Sequence, residues 1–506
     1  MKDKQVKYGI FISYFYVLLN VISGLLVTSL IIRELGSSQY GIYEIIVSLI
    51  SDIGILNLGM SDCIVKYVST YRTTNDVKKQ EEVIGSVFKI LIVAATIAFI
   101  ICSVVYLRFD IIYAQSLSSS EIVDAKKLLI LASFNLIISL PCGVFSCVLT
   151  AYEKFAVTRG LNVAKLLLKI SIVLIGLNFY KNAMMLLTID VFLNVLDICI
   201  NYILMRKWLQ LKVSIHTTDK DLYRKIFTFS GYTIFFIIAR EVQWQTDKTI
   251  IGLRLNTHMV TVYSAGAKIS SVFNQLGLIL SGLFLPRAVR ITESGGKESD
   301  YRSFMVEMNK LVVPFLIAVL IGYYFMGSEF VTLWIGEGYE LGYYSSFIMM
   351  LAVFLPIIMD PGMAILKARD KYKGIAVTWL VSSIANIILT WVTVKPFGIL
   401  AASICTFVTS YFGNVLFLCL FLKKEISFKF TLYFKDIFKG LLPPIVFSVL
   451  YFWILDYFNI NIESWIMLIA QGLGYVFVFF LFIYCCYLTK EQRIKIKMSL
   501  RKLLKC

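Results

Sequence analysis

The chain has 506 residues, of which 58% are hydrophobic and 16% charged, and its mean hydropathy is +0.79. Soluble globular proteins average roughly 45–50% apolar and about 25% charged residues, so this composition excludes an ordinary soluble fold. The formal net charge is +17. Lys and Arg are concentrated in short polar segments between apolar runs, which is typical of cytoplasmic loops rather than of a nucleic-acid-binding surface.

Apolar runs long enough to cross a bilayer, about 20 residues each, recur along the whole chain. The first run follows Lys2, Lys4 and Lys7 and is too long for the core of a signal peptide, so we expect a retained membrane helix. The sequence predicts an all-α integral membrane protein with about 14 transmembrane helices. Their approximate limits are 8–32, 41–64, 84–107, 128–150, 161–179, 184–205, 226–251, 260–284, 311–327, 341–365, 374–393, 397–421, 440–459 and 463–488.

The distribution of basic residues supports this number of spans. If the N-terminus is cytoplasmic, the inside segments contain 37 Lys and Arg, the outside segments contain 7, and five more lie within spans. Because cytoplasmic loops collect Lys and Arg, we expect a multi-pass protein of the bacterial inner membrane with both termini in the cytoplasm. The predicted outside loops are too short to hold a separate catalytic domain.

A faint internal repeat relates the beginning of the chain to its middle. The segment 31–36, which precedes a span, matches the segment 250–255, which precedes another, with one residue of slack. In this register Glu44 corresponds to Ser264, and the polar positions of the helix that follows coincide in the two copies. Transporters are often built from duplicated bundles with the substrate path between them. The repeat therefore predicts two pseudo-repeated bundles around a central cavity, at 1–210 and 211–421, followed by two helices and a basic cytoplasmic tail at 422–506.

Polar side chains recur at helical spacing in five of the predicted spans, so that they share a face of each helix. Ionisable groups inside a membrane are costly and are functional candidates by default. A water-filled cavity explains these stripes, and hydrogen bonding between helices is the alternative for the Ser and Asn residues. For Arg240, Lys268, Asp247 and Asp197 we favour the cavity.

Buried cations suit an anionic substrate, because Arg offers paired donors and Lys a point charge to phosphate. We expect Arg240 and Lys268 to hold a pyrophosphate head, and Asp247 and Asp197 to neutralise them or to bind a coupling H⁺ or Na⁺. Lys89 and Lys169 are interpreted as side chains that extend to the membrane surface. No catalytic group, metal-ligand pattern or cofactor motif is evident. The substrate-binding candidates are Arg240, Lys268, Arg33 and Lys248, and the further cavity candidates are Asp247, Asp197, Asp190, Glu44, Asp52, Asn20, Gln243 and Gln275.

Several short motifs run along the chain in a fixed order. They are RELGSSQYGIY at 33–43, DIGILNLG at 52–59, QTDKTIIG at 245–252, YSAG at 263–266, LPR at 285–287 and LWIG at 333–336. Their order and spacing resemble those of the polysaccharide-biosynthesis flippase family, within a superfamily that includes multidrug and toxin extrusion proteins and lipid II flippases. Leu255-Asn256 departs from the Leu-Gly that this family often has at that point.

The resemblance implies two helical bundles around a cationic cavity and transport by alternating access. It implies an undecaprenyl-pyrophosphate-linked oligosaccharide as the substrate, with the lipid tail left among the membrane lipids, for the synthesis of O-antigen, capsule or exopolysaccharide. A polysaccharide polymerase is an expected partner on the same ground. A lipid II flippase or a multidrug exporter of the same superfamily is the main alternative.

Enzymes are weighed as a separate class. Asp219-Lys220-Asp221 has the D-x-D pattern of glycosyltransferases, but no α/β domain surrounds it, and a solvated loop is the simpler interpretation. An oligosaccharide polymerase or ligase is expected to have a large outside loop, which the predicted topology does not provide. An ATP-driven exporter needs a P-loop, and Gly295-Gly296-Lys297 lacks its spacing. We therefore predict a transporter and not an enzyme.

Overall fold

The computed structural model describes residues 2–214, 219–278, 281, 284–369, 371, 373–487 and 493. Within this part of the chain the structure is helical and contains no strand. The described residues form seventeen α-helices: α1 Lys2–Gly54, α2 Met60–Thr73, α3 Val77–Ile112, α4 Ser119–Ala151, α5 Phe155–Gly176, α6 Ala183–Ile203, α7 Lys220–Arg254, α8 Thr257–Gly277, α9 Phe284–Glu293, α10 Glu298–Ile335, α11 Glu340–Ala368, α12 Lys373–Phe397, α13 Ile399–Val408, α14 Leu416–Ile426, α15 Phe430–Phe438, α16 Leu442–Tyr457 and α17 Trp465–Phe482.

The predicted all-α membrane class is confirmed. Nine helical stretches of the described residues are long and apolar enough to cross a membrane, and a tenth is obtained if the bent pair α15 and α16 forms one span. The helices α5, α7 and α8 do not meet this test. Three basic residues lie in α5, and α8 is rich in Ser, Thr, Asn and Gln. The number fourteen stays a prediction, although a described helix overlaps each predicted span.

The first two predicted spans form the long helix α1. Gly36 interrupts its regular geometry with φ 81° and ψ 163°, a conformation that glycine adopts without a Cβ clash. The second predicted span, 41–64, does not continue to its expected end. Leu58 and Gly59 both have left-handed backbone, so the helix stops after Gly54 and α2 begins at Met60.

Large apolar side chains remain exposed along the described spans, which is the pattern of a surface solvated by lipid. Leu107, Phe397 and Ile466 are 72%, 73% and 80% exposed. The helix α3 has 36 residues, and at 1.5 Å per residue it is longer than the roughly 30 Å hydrocarbon core. Its ends therefore extend into the headgroup region, as do those of α4.

Contacts along the chain divide it into two compact units. Unit 1 comprises Met1–Lys268 and Ala376–Thr409, and unit 2 comprises Ile269–Ile375 and Ser410–Cys506. The predicted bundles at 1–210, 211–421 and 422–506 rest on the sequence repeat and stay a prediction.

Each unit has its own packing. In unit 1 a core of Met60, Val87, Val148 and other buried side chains joins α2, α3, α4 and the start of α7. In unit 2 the Asn309 amide on α10 donates to the Ile358 carbonyl on α11 and to the Tyr433 hydroxyl on α15.

Candidate functional site

The centre of the candidate site is an ion pair between α1 and α7 in unit 1. Lys248 Nζ lies 2.8 Å from Glu44 Oε2, and the Tyr40 hydroxyl donates to Glu44 Oε1 at 2.7 Å. Both carboxylate oxygens of Glu44 are thus occupied. The pair brings together two residues that the sequence predicted for the cavity, 204 positions apart in the chain.

A second cation, Lys268 on α8, joins this pair. Its ammonium interacts electrostatically with Glu44, Lys248 and Lys169. Gly24 on α1 makes room for it, because a Cβ at that position would lie 2.8 Å from Lys268 Cε and 3.0 Å from Nζ. The Lys268 side chain therefore packs directly against the α1 backbone at residue 24.

The helices α5 and α6 add two ion pairs in a ladder. Lys169 Nζ lies 2.5 Å from Asp190 Oδ1, and Lys165 Nζ lies 3.6 Å from Asp197 Oδ2. The Tyr43 hydroxyl of α1 donates to Asp190 at 2.7 Å, which connects the Lys169–Asp190 pair to α1. All four charged side chains are partly exposed.

We define the lysine cluster as Lys169, Lys248 and Lys268 together with the carboxylates Glu44 and Asp190. It contains three cations and two anions, and the phenols of Tyr40 and Tyr43 bond the two anions. The cluster therefore has an excess positive charge in a part of the protein where charge is costly. Such an arrangement can bind an anionic group with more than one negative charge.

Asp247 lies next to Lys248 in sequence but occupies a different environment, because neighbouring residues on a helix point about 100° apart. Its carboxylate is 1% exposed. It accepts hydrogen bonds from the hydroxyls of Tyr263 and Thr406 at 2.8 Å and from Thr390 at 3.3 Å. Among the ion pairs of the described residues, none involves Asp247.

Two further predicted residues lie along α7 near the same region. Asp52 accepts hydrogen bonds from Thr246 at 3.0 Å and from Thr249 at 2.9 Å, which connects the end of α1 to α7. Gln243 is buried, whereas Arg240 is 65% exposed and lies 3.4 Å from Glu241. Eight residues separate Arg240 from Lys248, or about 12 Å along the helix axis. The joint role of Arg240 and Lys268 stays a prediction.

Three other predicted residues lie outside the lysine cluster. Arg33 is exposed near the Gly36 kink, beside the pair that Glu34 forms with Lys181. Asn20 is half-buried, one turn before Gly24. Gln275 belongs to unit 2, where its amide donates to the Ser271 carbonyl.

Sequence reasoning ranked Lys169 low and did not select Lys165. The interpretation of Lys169 as a side chain that simply reaches the membrane surface does not describe its contact with Asp190. A signal was available, because Lys165 and Lys169 are four residues apart and Asp190 and Asp197 are seven apart, so each pair shares one helix face. Matching those two faces would have suggested the ladder.

Asp219 and Asn256, which the sequence placed in loops, each lie immediately before the start of a helix. Asp219 of the D-x-D sequence caps α7, accepting hydrogen bonds from the backbone N–H groups of Asp221 and Leu222. Asn256, the departure from Leu-Gly, accepts from the Met259 backbone N–H at 2.9 Å and so stabilises the start of α8. Both are N-cap interactions of the kind that Asp and Asn commonly make.

The sequence matches the family model described as "Polysaccharide biosynthesis protein" over residues 6–292, more than half of the chain. The chain belongs to this polysaccharide biosynthesis protein family. The resemblance inferred from the motifs is thereby confirmed. The matched region contains every residue of the lysine cluster.

Two relatives extend this result. The chain is 24% identical over 383 residues to a "Putative O-antigen transporter" of Shigella flexneri, covering 74% of this chain and 87% of that protein. It is 18% identical over 503 residues to the "Uncharacterized membrane protein EpsK" of Bacillus subtilis, covering 96% of both chains.

Solved structures show the same fold. A lipid II flippase, MurJ, in an inward closed conformation has a TM-score of 0.66 at 12% identity, and the similarity covers 93% of this chain and 97% of that one. An inward-facing multidrug resistance transporter of the MATE family has a TM-score of 0.64 at 10% identity, covering 81% and 96%. The protein is therefore a multi-pass membrane protein with a transporter fold.

Proposed function

We propose that this protein is a flippase that moves undecaprenyl-pyrophosphate-linked oligosaccharide repeat units across the bacterial inner membrane by alternating access. The product serves O-antigen, capsule or exopolysaccharide synthesis. The observation that carries this proposal is the lysine cluster, since a pyrophosphate is the anionic part of such a substrate. Family membership and the relative named as an O-antigen transporter support the same function.

The cluster suits reversible binding of a pyrophosphate. Glu44 and Asp190 are the counter-ions to Lys248 and Lys169, at 2.8 and 2.5 Å. An incoming pyrophosphate competes with these carboxylates for the ammonium groups, so the lysines exchange one set of anions for another. Lys268 supplies the additional positive charge. The lipid tail stays among the membrane lipids, and only the head and sugars enter the protein.

Asp247 is the proposed site for a coupling H⁺ or Na⁺. Its carboxylate is buried among hydroxyl groups, whose oxygens are also hard ligands of the kind that alkali and alkaline-earth ions prefer. The neutralising role fits Asp197 better, because Lys165 is its partner at 3.6 Å. Arg33 and Arg240 are proposed to attract the anionic head from exposed positions.

A multidrug exporter or a lipid II flippase is the alternative function. A transporter for cationic drugs favours an acidic site, whereas the lysine cluster has three cations and two anions. Lipid II shares the polyprenyl-pyrophosphate head, so the cluster does not separate it from other lipid-linked saccharides. A cytoplasmic location of both termini and an interaction with a polysaccharide polymerase complete the proposal.

The test is deletion of the gene in its own host, followed by measurement of surface polysaccharide and of lipid-linked intermediates on each leaflet. We expect surface polymer to be lost and undecaprenyl-linked repeat units to accumulate on the cytoplasmic leaflet. Repeat units that reach the outer leaflet but remain unpolymerised would instead indicate a polymerase or its partner. Arrest of cell-wall synthesis with normal surface polymer would indicate a lipid II flippase.

A further inference from the structure

Two helix ends meet in unit 1, one turn along α1 from the lysine cluster. Ser37, Ser38 and Gly41 follow the kink at Gly36, and Thr257 and Thr261 lie in the first turns of α8. The predicted topology places both ends on the outer side of the membrane. They correspond to each other in the sequence repeat, because the register that equates Glu44 with Ser264 also equates position 37 with 257 and position 41 with 261.

The contacts between these ends are reciprocal. The Thr261 hydroxyl donates to the Ser37 carbonyl at 2.6 Å. Gly41 packs against the Thr257 backbone so closely that a Cβ would lie 2.2 Å from the Thr257 carbonyl oxygen. Gly41 thus contacts Thr257, which is the equivalent of Ser37. Ser37 in turn contacts Thr261, which is the equivalent of Gly41. Contacts that exchange in this way are characteristic of an interface around a two-fold axis.

Glu121, at the start of α4, joins the two ends. Its Oε2 accepts from the Ser118 backbone N–H at 2.9 Å, which completes the capping box of α4. Its Oε1 accepts from the Ser38 hydroxyl at 2.6 Å and from the Thr257 hydroxyl at 2.7 Å. The Oε2 atom of Glu121 therefore bonds the start of its own helix, and Oε1 accepts from one residue of each repeat.

Neighbouring contacts hold the first of these ends in register. The Gln39 amide donates to Asp124 on α4 at 3.2 Å and accepts from the Ala183 backbone N–H, at the start of α6, at 3.2 Å. The position of Ser38 relative to Glu121 is thus determined by α4 and α6 together. Hydrogen bonds to a carboxylate are about twice as strong as neutral ones, and Glu121 is a carboxylate that accepts from both repeats.

We propose that Glu121 is the residue that latches the outer end of the transport path. We define the outer latch as Ser37, Ser38 and Gly41 of the first repeat, Thr257 and Thr261 of the second, and Glu121 between them. Its assignment to a transport path rests on the proposed function, in which the outer end must open to release substrate. Opening separates the two repeats, which removes the Thr257 donor from Glu121 and leaves the Ser38 donor and the capping box of α4 in place.

The test is hydrogen–deuterium exchange of the purified full-length protein, followed in peptides that cover 36–43 and 255–263. Ser38→Ala is expected to raise exchange about tenfold in the distant 255–263 segment, and Thr257→Val to do so in the 36–43 segment, which is the effect of losing a hydrogen bond to a charged acceptor. The matched control is Thr96→Val with Ser103→Ala, whose hydroxyls, among the described residues, donate to backbone carbonyls of their own helix. It is expected to leave both segments unchanged.

A change confined to the substituted segment, or no change in either, overturns the latch. Gly41→Ala is a second variant, because its methyl group prevents the close contact with Thr257, and it should raise exchange in both segments. Gly160→Ala is its control, since a Cβ there meets no atom of the described residues within 4 Å. Neither measurement uses substrate, so the latch is tested even if the cargo is not the proposed one. Failure of the proposed function is visible separately, in the leaflet assay.

Discussion

Lys248 Nζ lies 2.8 Å from Glu44 Oε2, with only 17% and 13% of the two side chains exposed. This pair connects α1 to α7, and the two residues are 204 positions apart in the chain. Lys248 can stabilise the fold through this pair, bind the substrate through its charge, or do both.

A double substitution separates these roles. Glu44→Gln alone leaves three cations and one anion in the cluster and is expected to lower the free energy of unfolding by about 3 kcal/mol, whereas Lys248→Met leaves Lys268 as a counter-ion to Glu44 and should lower it less. The double variant removes both charges and should recover most of that stability in a thermal-unfolding measurement. Flipping should nevertheless remain lost, because the substrate-binding cation is absent. Recovery of flipping in the double variant would reduce Lys248 to a structural partner of Glu44.

Gly24 provides a test of how Lys268 is positioned. Gly24→Ala introduces a methyl group 2.8 Å from Lys268 Cε, so the ammonium must move. We expect binding of a polyprenyl pyrophosphate to weaken about tenfold, the lower part of the cost of overpacking a tight contact. Gly160→Ala is the matched control, with no neighbour to displace. Equal affinities of the two variants would show that Lys268 does not contact the head.

The individual cations are expected to differ in their contributions to export. Lys268→Ala and Arg240→Ala should abolish surface polysaccharide while the protein still inserts at normal levels. Lys169→Ala should reduce it, because Asp190 then remains in the cluster without its counter-ion. Lys89→Ala, on α3, is the control for loss of a membrane lysine and should export normally. Wild-type polysaccharide in a well-expressed Arg240→Ala strain would remove Arg240 from the substrate-binding set.

Asp247→Asn is expected to uncouple transport from an ion gradient. The amide retains an oxygen that accepts the hydroxyl hydrogen bonds of Tyr263 and Thr406, so the fold should be preserved. The negative charge that would hold H⁺ or Na⁺ is lost. In proteoliposomes, flipping by the variant should be slower than that of the wild type and indifferent to an imposed H⁺ or Na⁺ gradient. Asp110→Asn, at an exposed ion pair with Lys126, should keep the wild-type gradient response.

The sequence predicted the helical membrane class because apolar runs of sufficient length are a local property. It also placed Glu44 and Lys248 among the candidates, since a charge inside a span is conspicuous by itself. It did not reveal that the two pair with each other, because the register of α1 against α7 depends on packing. Gly24 and Gly252 show why, since each admits a side chain from another helix, Lys268 and Ile45 respectively.

Other parts of the site were missed for a different reason. Glu121 lies outside the apolar runs and looks like an ordinary capping-box residue, which it also is. Its second role depends on two hydroxyls that are 83 and 136 positions away. The break at Leu58 and Gly59 was missed because hydropathy continues through it, although the two glycines Gly54 and Gly59 mark its ends.

The exchanged contacts of Gly41 with Thr257 and of Thr261 with Ser37 have a consequence for the history of the chain. Two identical half-length proteins that associate around a two-fold axis make each contact twice, once in each direction. The outer latch shows that pattern within one polypeptide, although the residues on the two sides differ. Duplication and fusion of a homodimeric ancestor is the origin that the predicted repeat implies for this geometry, and Glu121 has no counterpart among the exchanged contacts.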